Sequence, residues 1–364
     1  MKLTIARDQL FESLQKVTTI IGARSTLPIL ANVLLEADGE RLSLSTTDLE
    51  IRIRTEATAK VVQPGRTTLP AKTLLNVVRE LPGDEVSFEV NEGNQIRIES
   101  GSSSYRLNGL AADDFPQPTE MATLRRVVLP QAELARILGL ISYSASTDDS
   151  RKVLNGVLFT ITENTFTAVA TDGKRLALVE KSIETRTGDD GQTIIPSKGA
   201  GELQRLLGKE GDAILEFGEN QASFQIGRTH MTTKLVEGTY PNYRQVIPTS
   251  FSKKIELPTE TFAAALRRVS LVVSETSPFV KLTFGNDTIQ LHAESAEKGE
   301  SKENLPINYT GQELAISFNP LYLSAPFRAL DADRMNFQIN DGFSPVALSA
   351  GDGFLYVIMP MRQK

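Results

Sequence analysis

The sequence predicts an α+β protein made of three copies of one domain, and three observations lead there. A pattern recurs along the chain with a period of about 124 residues. Each copy holds two segments whose apolar residues return at spacings of three and four, as in a helix with one buried face. Around them lie short runs in which apolar and polar residues alternate, as in antiparallel strands covered on one side. Helices set beside antiparallel sheet in every copy define an α+β architecture.

Each copy opens on a short strand followed by a helix. In the first, Leu3 to Ala6 precedes Leu10, Phe11, Leu14, Val17 and Ile21; in the second, Val127 to Leu129 precedes Leu134, Ile137, Leu138 and Ile141. In the third, Lys254 to Leu257 precedes Phe262, Ala265, Leu266 and Val269. Pro130 and Pro258 are expected in the first helical turn, where a missing N–H costs nothing. A pair of strands follows each helix: Asn32 to Ala37 with Arg41 to Ser45, Gly156 to Ile161 with Phe166 to Ala170, and Val280 to Phe284 with Ile289 to Ala293. Polar turns such as Asp38-Gly39-Glu40 separate them.

A second helix comes next, marked by Leu74, Leu75, Val77, Val78 and Leu81, then by Leu203, Leu206 and Leu207, then by Leu321, Tyr322 and Phe327. Closing strands follow, clearest in Val86 to Val90 and Gln95 to Glu99. Breaks at Phe115-Pro116-Gln117-Pro118-Thr119 and between Tyr240-Pro241-Asn242-Tyr243 and Lys253 divide the chain into expected domains 1–124, 125–251 and 252–364. The charged stretch from Glu294 to Asn304 reads as an exposed loop inside the third copy.

Composition narrows the function. At 364 residues, 40% hydrophobic and 23% charged, the chain can support several cores. Having no cysteine, it has no disulfide, thiolate nucleophile or Cys-based zinc site. No apolar run has membrane-spanning length and no signal-peptide core follows Met1, so a cytoplasmic protein without membrane contact is expected. The net charge of −6 argues against a surface that grips nucleic acid all over, yet 39 basic residues can still be gathered on one face.

Catalysis has little support. Asp113-Asp114, Asp148-Asp149 and Asp189-Asp190 lie in turn-like contexts, and His230 and His292 have no metal-ligand spacing. There is no P-loop, no G-x-S-x-G elbow and no complete G-x-G-x-x-G, since Gly351-Asp352-Gly353 lacks a third glycine. No catalytic residue, metal or cofactor is expected.

Five strings, in order and spacing, carry a resemblance across essentially the whole chain: Ser25-Thr26-Leu27-Pro28-Ile29-Leu30, Val153-Leu154-Asn155-Gly156, Ala170-Thr171-Asp172-Gly173-Lys174-Arg175-Leu176, Tyr240-Pro241-Asn242-Tyr243-Arg244 and Tyr356-Val357-Ile358-Met359-Pro360-Met361-Arg362. With three two-helix copies, the chain resembles the β subunit of bacterial DNA polymerase III, the sliding clamps. The resemblance implies a head-to-tail homodimeric ring, six domains each turning the chain by about 60°, with helices toward a central hole and sheets outside. It implies a processivity factor that encircles double-stranded DNA without reading its sequence. The implied protein partners are the DNA polymerase III α subunit, the clamp loader, other DNA polymerases and repair proteins.

Residue by residue, the resemblance places DNA-facing charge at Arg24 and Lys198, and the recurrence of basic residues on the helices adds Lys72, Arg79 and Arg205. It places the dimer joint at Tyr105 and Leu107 on one side and Leu271 and Val272 on the other. A peptide cleft between the second and third domains is implied at Leu154, Thr171, Gly173, Arg175, Leu176, Pro241 and Val246. Its other wall is implied at Asn319, Tyr322, Phe343, Val357, Ile358, Met359, Pro360, Met361 and Arg362. Apolar and methionine side chains there suit adaptable pockets, Gly173 permits close backbone approach, and Arg175, Arg362 and Asn319 offer directional contacts. Lys174 and Gln245 stand where the best-known clamps carry His and Arg, and Pro345 replaces a small polar residue, so partner preference is expected to differ. A scaffold that binds only proteins and never encloses DNA is the competing reading; retention on closed circular DNA separates the two.

Overall fold

The computed structural model describes residues 1–22, 27–91, 93–351 and 353–362. The first repeat runs β1 (Lys2–Ala6), α1 (Arg7–Val17), β2 (Asn32–Asp38), β3 (Arg41–Thr47), β4 (Ile51–Thr58), β5 (Lys60–Gln63), β6 (Gly65–Pro70), α2 (Ala71–Glu80), β7 (Glu85–Val90), β8 (Gln95–Ser100) and β9 (Ser103–Asn108). The second runs β10 (Arg125–Pro130), α3 (Gln131–Ile141), β11 (Gly156–Thr162), β12 (Thr165–Thr171), β13 (Arg175–Ser182), β14 (Arg186–Gly188), β15 (Gly191–Pro196), α4 (Ser197–Leu206), β16 (Asp212–Phe217), β17 (Gln221–Ile226) and β18 (Thr229–Lys234). The third runs β19 (Lys253–Pro258), α5 (Thr259–Val269), β20 (Val280–Gly285), β21 (Thr288–Ser295), β22 (Gly299–Pro306), β23 (Leu314–Phe318), α6 (Pro320–Ala329), β24 (Arg334–Ile339), β25 (Val346–Ser349) and β26 (Phe354–Ile358).

The helices form where apolar spacing dictates. On α1, Leu10, Leu14 and Val17 are fully buried, each stabilising the fold by about 1.5–3 kcal/mol. Asp8 in its first turn and Lys16 in its last suit the helix dipole. The helix stops at Val17 and tightens into a 3₁₀ turn, Thr18–Ile20, so Ile21 lies beyond it. Helix α6 begins on Pro320, and the Asn319 side chain accepts the Leu321 N–H at 2.9 Å as its cap.

Pro326 sits inside α6 and cannot donate to the carbonyl one turn back, that of Tyr322. The Tyr356 hydroxyl donates to that carbonyl at 2.7 Å, so a strand residue satisfies the acceptor the proline leaves open.

Two further features depart from expectation. Pro130 and Pro258 close β10 and β19 instead of entering the helices, which begin one residue later. The Glu294 to Asn304 stretch is a hairpin, not a loop: β21 runs to Ser295 and β22 pairs with it from Gly299 to Pro306. Strand β22 is an edge, and edge strands tolerate the charges that made this segment look like loop.

The chain divides into two compact units, residues 1–134, 184–189 and 201–235 in one and residues 135–183, 190–200 and 236–364 in the other. The first unit holds a five-stranded sheet, β5-β1-β7-β8-β9, and a nine-stranded sheet, β14-β10-β16-β17-β18-β4-β3-β2-β6. The second holds an eight-stranded sheet, β15-β11-β12-β13-β26-β25-β24-β19, and a four-stranded sheet, β22-β21-β20-β23.

The large sheets show how the repeats join. In the first unit β4 of repeat one pairs antiparallel with β18 of repeat two, with Thr55 opposite Thr229 and their hydroxyls 2.9 Å apart. In the second unit β13 of repeat two pairs antiparallel with β26 of repeat three, with Leu178 opposite Leu355. Strands β4, β13 and β22 hold equivalent places in the repeats, as do β9, β18 and β26. Two of the three possible joints are thus made inside the chain, and among the described residues β22 and β9 lie at the ends of their sheets with no strand on the outer side.

Candidate functional site

The joint between β13 and β26 carries the strings that resembled a family cleft. A tight turn precedes β13. The Thr171 hydroxyl donates to the Arg175 carbonyl at 2.6 Å and accepts the Gly173 N–H at 3.0 Å. Asp172 accepts the N–H groups of Lys174 and Arg175 at 2.8 and 3.0 Å. Gly173 has φ +86°, and a Cβ there would stand 3.0 Å from Nη2 of Arg151. Glycine thus supplies the backbone conformation and leaves room for the Arg151 guanidinium, whose Nη1 donates to the Asp172 carbonyl at 2.7 Å.

Arg175 is the hub. Its Nε donates to Asp172 at 3.1 Å and its Nη2 to the Tyr143 carbonyl at 2.6 Å. The guanidinium carbon lies 4.5 Å from the Tyr322 ring centre and 5.8 Å from that of Tyr143, within cation–π range. Only 15% of the Arg175 side chain and 14% of the Asp172 side chain are exposed, so the pair is a rigid element of the wall. Burial pushes the Tyr143 and Tyr356 phenols up, which keeps both neutral, and Tyr356 donates to the Tyr322 carbonyl.

Beneath this wall Leu154, Leu176, Val357 and Tyr240 form one buried cluster with Leu158 and Val169, and half-buried Val246 packs against it. Ile358 is fully buried. Toward solvent lie half-buried Tyr322, Asn319, Met359, Pro360 and Met361, exposed Pro241 and Arg362, and Phe343, which is 79% exposed. The Met359 N–H donates to the Lys174 carbonyl at 3.0 Å and the Met361 N–H to Ser317 at 2.7 Å, fixing the C-terminal segment along the joint. Asp341 accepts the N–H groups of Phe343 and Ser344 at 2.8 and 2.7 Å, bonds that hold its carboxyl below its usual range and present Phe343 outward. A cavity of about 290 Å³ opens beside Tyr322, lined by Arg151, Asp172, Lys174, Arg175 and residues 145–148. Such a wall, apolar below with a few convergent polar groups, suits a short peptide better than a reacting substrate.

Sequence reasoning named most of these residues but gave no role to Tyr143, Arg151 or Tyr356, although Tyr356 opens one of the five strings; their contacts arise only through strand pairing and the turn. No spacing in the sequence signals them.

The other expected positions lie elsewhere. Lys72 on α2 and Lys198 on α4 are exposed, each the second residue of its helix. Arg79 donates to Asn76 at 3.4 Å and lies over the Phe11 ring. Arg205 donates to Glu202 at 2.9 Å, and to the Thr19 hydroxyl and Lys16 carbonyl at 2.7 Å each, so it ties repeat two to repeat one. Arg24 lies outside the described residues. On β9 Tyr105 is 37% exposed and Leu107 half-buried; Leu271 is 72% exposed beside half-buried Val272, in the 3₁₀ turn Ser270–Val272 that follows α5.

Each acidic pair has at least one member with a structural partner. Asp113 pairs with Arg66, Asp148 accepts from Ser150, Asp149 from Asn155 and Asp190 from the Glu163 N–H. The β21–β22 hairpin brings His292, Glu294 and Glu300 within 4.8 Å of one another, a grouping the sequence did not announce. His292 hydrogen-bonds Glu300 at 3.0 Å and Lys302 pairs with the same carboxylate.

Three α+β repeats joined edge to edge through equivalent strands, with a cavity at one joint, define the class of clamp proteins. Models of the DNA polymerase III beta subunit match the chain throughout: the N-terminal domain at residues 1–119, the central domain at 128–242 and the C-terminal domain at 244–362. The beta sliding clamp of Caulobacter vibrioides is 35% identical over 372 residues, covering 100% of both chains, and that of Escherichia coli K12 is 34% identical over 367 residues with the same coverage. A crystal structure of the Pseudomonas aeruginosa DnaN sliding clamp bound to griselimycin superposes with a TM-score of 0.96 at 31% identity, covering 100% of both chains. The chain belongs to the bacterial DNA polymerase III β subunits, the sliding clamps whose family role is that of processivity factor. Among the described residues no helix is long and apolar enough to cross a membrane.

Proposed function

We propose that two copies of the chain close head to tail into a ring that encloses duplex DNA and tethers polymerase III and other replication and repair proteins through the β13–β26 cleft. The observation that carries this reading is the pair of unmatched edges. Since β4 takes β18 and β13 takes β26, the equivalent partner for β22 is β9, and the chain's own β9 belongs to its first repeat. A second copy supplies it, and the contact repeated once in each direction closes the assembly.

The 3₁₀ turns support the same pairing. In the turn Thr18–Ile20, Thr19 bonds to Glu202 and Arg205 of the next repeat, and in the turn Ser142–Ser144, Tyr143 packs with Tyr356 of the next. Leu271 holds the equivalent place in the third repeat, and its exposure fits a surface awaiting the partner's first repeat. The reading includes domain borders near residues 124 and 251, between β9 and β10 and between β18 and β19. In this reading Arg24, Lys72, Arg79 and Lys198 bear loosely on phosphates, while Arg205 acts mainly at the joint.

The cleft is tested by Met361→Ala combined with deletion of residues 362–364. A synthetic peptide copied from the C-terminal tail of the cognate polymerase III α subunit should lose at least tenfold in affinity by calorimetry, while sedimentation still shows a dimer. Undiminished binding would remove the cleft from the account.

A further inference from the structure

The β4–β18 joint of the first unit reproduces the backbone of the cleft joint almost atom for atom. Before β4 the Thr47 hydroxyl donates to the Ile51 carbonyl at 2.9 Å and accepts the Leu49 N–H at 3.1 Å, as Thr171 does with Arg175 and Gly173. Asp48 accepts the N–H groups of Glu50 and Ile51 at 3.0 and 2.7 Å, as Asp172 does for Lys174 and Arg175. The Lys234 N–H donates to the Glu50 carbonyl at 2.9 Å, where the Met359 N–H donates to that of Lys174 at 3.0 Å. A groove of about 390 Å³ lies at this joint, lined in part by Leu49, Arg52, Pro116, Pro118 and Lys234; with the cavity beside Tyr322 it shares only the equivalent turn positions, Glu50 for Lys174 and Ile51 for Arg175.

The side chains differ where the backbones agree. Register places Ile51 opposite Thr233 and Arg175 opposite Ile358, so Arg52 stands for Leu176 and Lys234 for Met359. Leu49 stands for Gly173, and it keeps the same left-handed backbone, φ +76° against +86°. A leucine is strained there, and its side chain is 46% exposed at the mouth of the groove. Arg52 hydrogen-bonds the Pro116 carbonyl and lies over the Phe115 ring, while Lys234 pairs with Glu50 at 3.2 Å. An apolar peptide anchor entering this groove would meet a leucine in the mouth and would strip water from the Lys234–Glu50 pair and the rest of a charged wall.

We infer that the β4–β18 joint is a latent copy of the peptide cleft, and that Leu49, Arg52 and Lys234 are the specificity-determining residues that confine each chain to one apolar peptide. This rests on the peptide-binding reading of the β13–β26 cleft.

The test is calorimetric titration of the full-length protein with the synthetic α-subunit tail peptide. Wild type should take one peptide per chain, and Leu49→Gly/Arg52→Leu/Lys234→Met two. Because Arg52 also holds Pro116, Leu49→Gly/Lys234→Met provides a second variant with that contact intact, and it should show a second, weaker site at unchanged dimer mass. One peptide per chain in wild type and in both variants, each folded by circular dichroism, overturns the inference alone. A wild-type stoichiometry of zero overturns it together with the reading beneath it.

Discussion

Tyr356 shows how single residues hold the cleft together. Its hydroxyl supplies the hydrogen bond that Pro326 denies to the Tyr322 carbonyl, and Tyr322 in turn stacks under Arg175. Tyr356→Phe leaves that acceptor without its partner and should cost about 2 kcal/mol in chemical denaturation. Adding Pro326→Ala restores an N–H within α6 and should recover part of the loss; a double variant no more stable than Tyr356→Phe would disprove the link. Residues of this kind were the least legible in the sequence. Leu154, Thr171, Gly173, Met361 and Tyr356 itself lie in recognisable strings, but that Tyr356 meets Tyr143 follows only from the pairing of two strands far apart in the chain.

At the scale of elements, helices and paired strands were legible wherever periodicity is local, as in α1, β7 and β8. Strand β22 was not. Its Glu300, Lys302 and Glu303 give it the composition of a loop, since a charged edge resists unwanted pairing, and only its register against β21 reveals it. The joints were also beyond local pattern, because β4–β18 and β13–β26 link residues more than a hundred positions apart.

The edge predicts how the dimer responds to change. Leu271→Glu puts a charge into the expected contact and should shift sedimentation from dimer to monomer at micromolar concentration without altering the circular dichroism spectrum. A persistent dimer would dissociate Leu271 from the joint. Hydrogen bonds from Lys302 and Arg268 hold the Glu300 and Glu303 carboxyls below the ordinary value of 4.5. A lowered carboxylate contributes fully above its ordinary value and loses its contribution as pH falls through the lowered one. Folding stability, read by chemical denaturation, should therefore keep the contribution of these groups from pH 8 to 5 and lose it only below 4.5; a loss between pH 7 and 5 would point to another group.

For the whole molecule the net charge of −6 becomes informative. A protein that held DNA by surface affinity would need a strong basic face and would lose its grip steeply with salt. Enclosure needs neither, only a closed path and weak contacts that permit sliding. The family fixes the processivity role; the pattern of two internal joints and two unmatched edges is what makes closure by a second copy the natural assembly. Arg24 and Lys198 are the proposed positions for loose phosphate contact, and charge reversal at both should weaken loading onto nicked circular DNA while leaving the dimer intact; unchanged retention would remove them from that role.

The most direct measurement is retention on DNA of two topologies. Protein loaded onto nicked circular duplex by the clamp loader is passed through a sizing column at moderate salt, before and after one restriction cut linearises the circle. Enclosure predicts that the protein elutes with the circle and is lost from the linear form at the same salt. Equal retention on both forms, or equal release from both with one salt dependence, would contradict the ring.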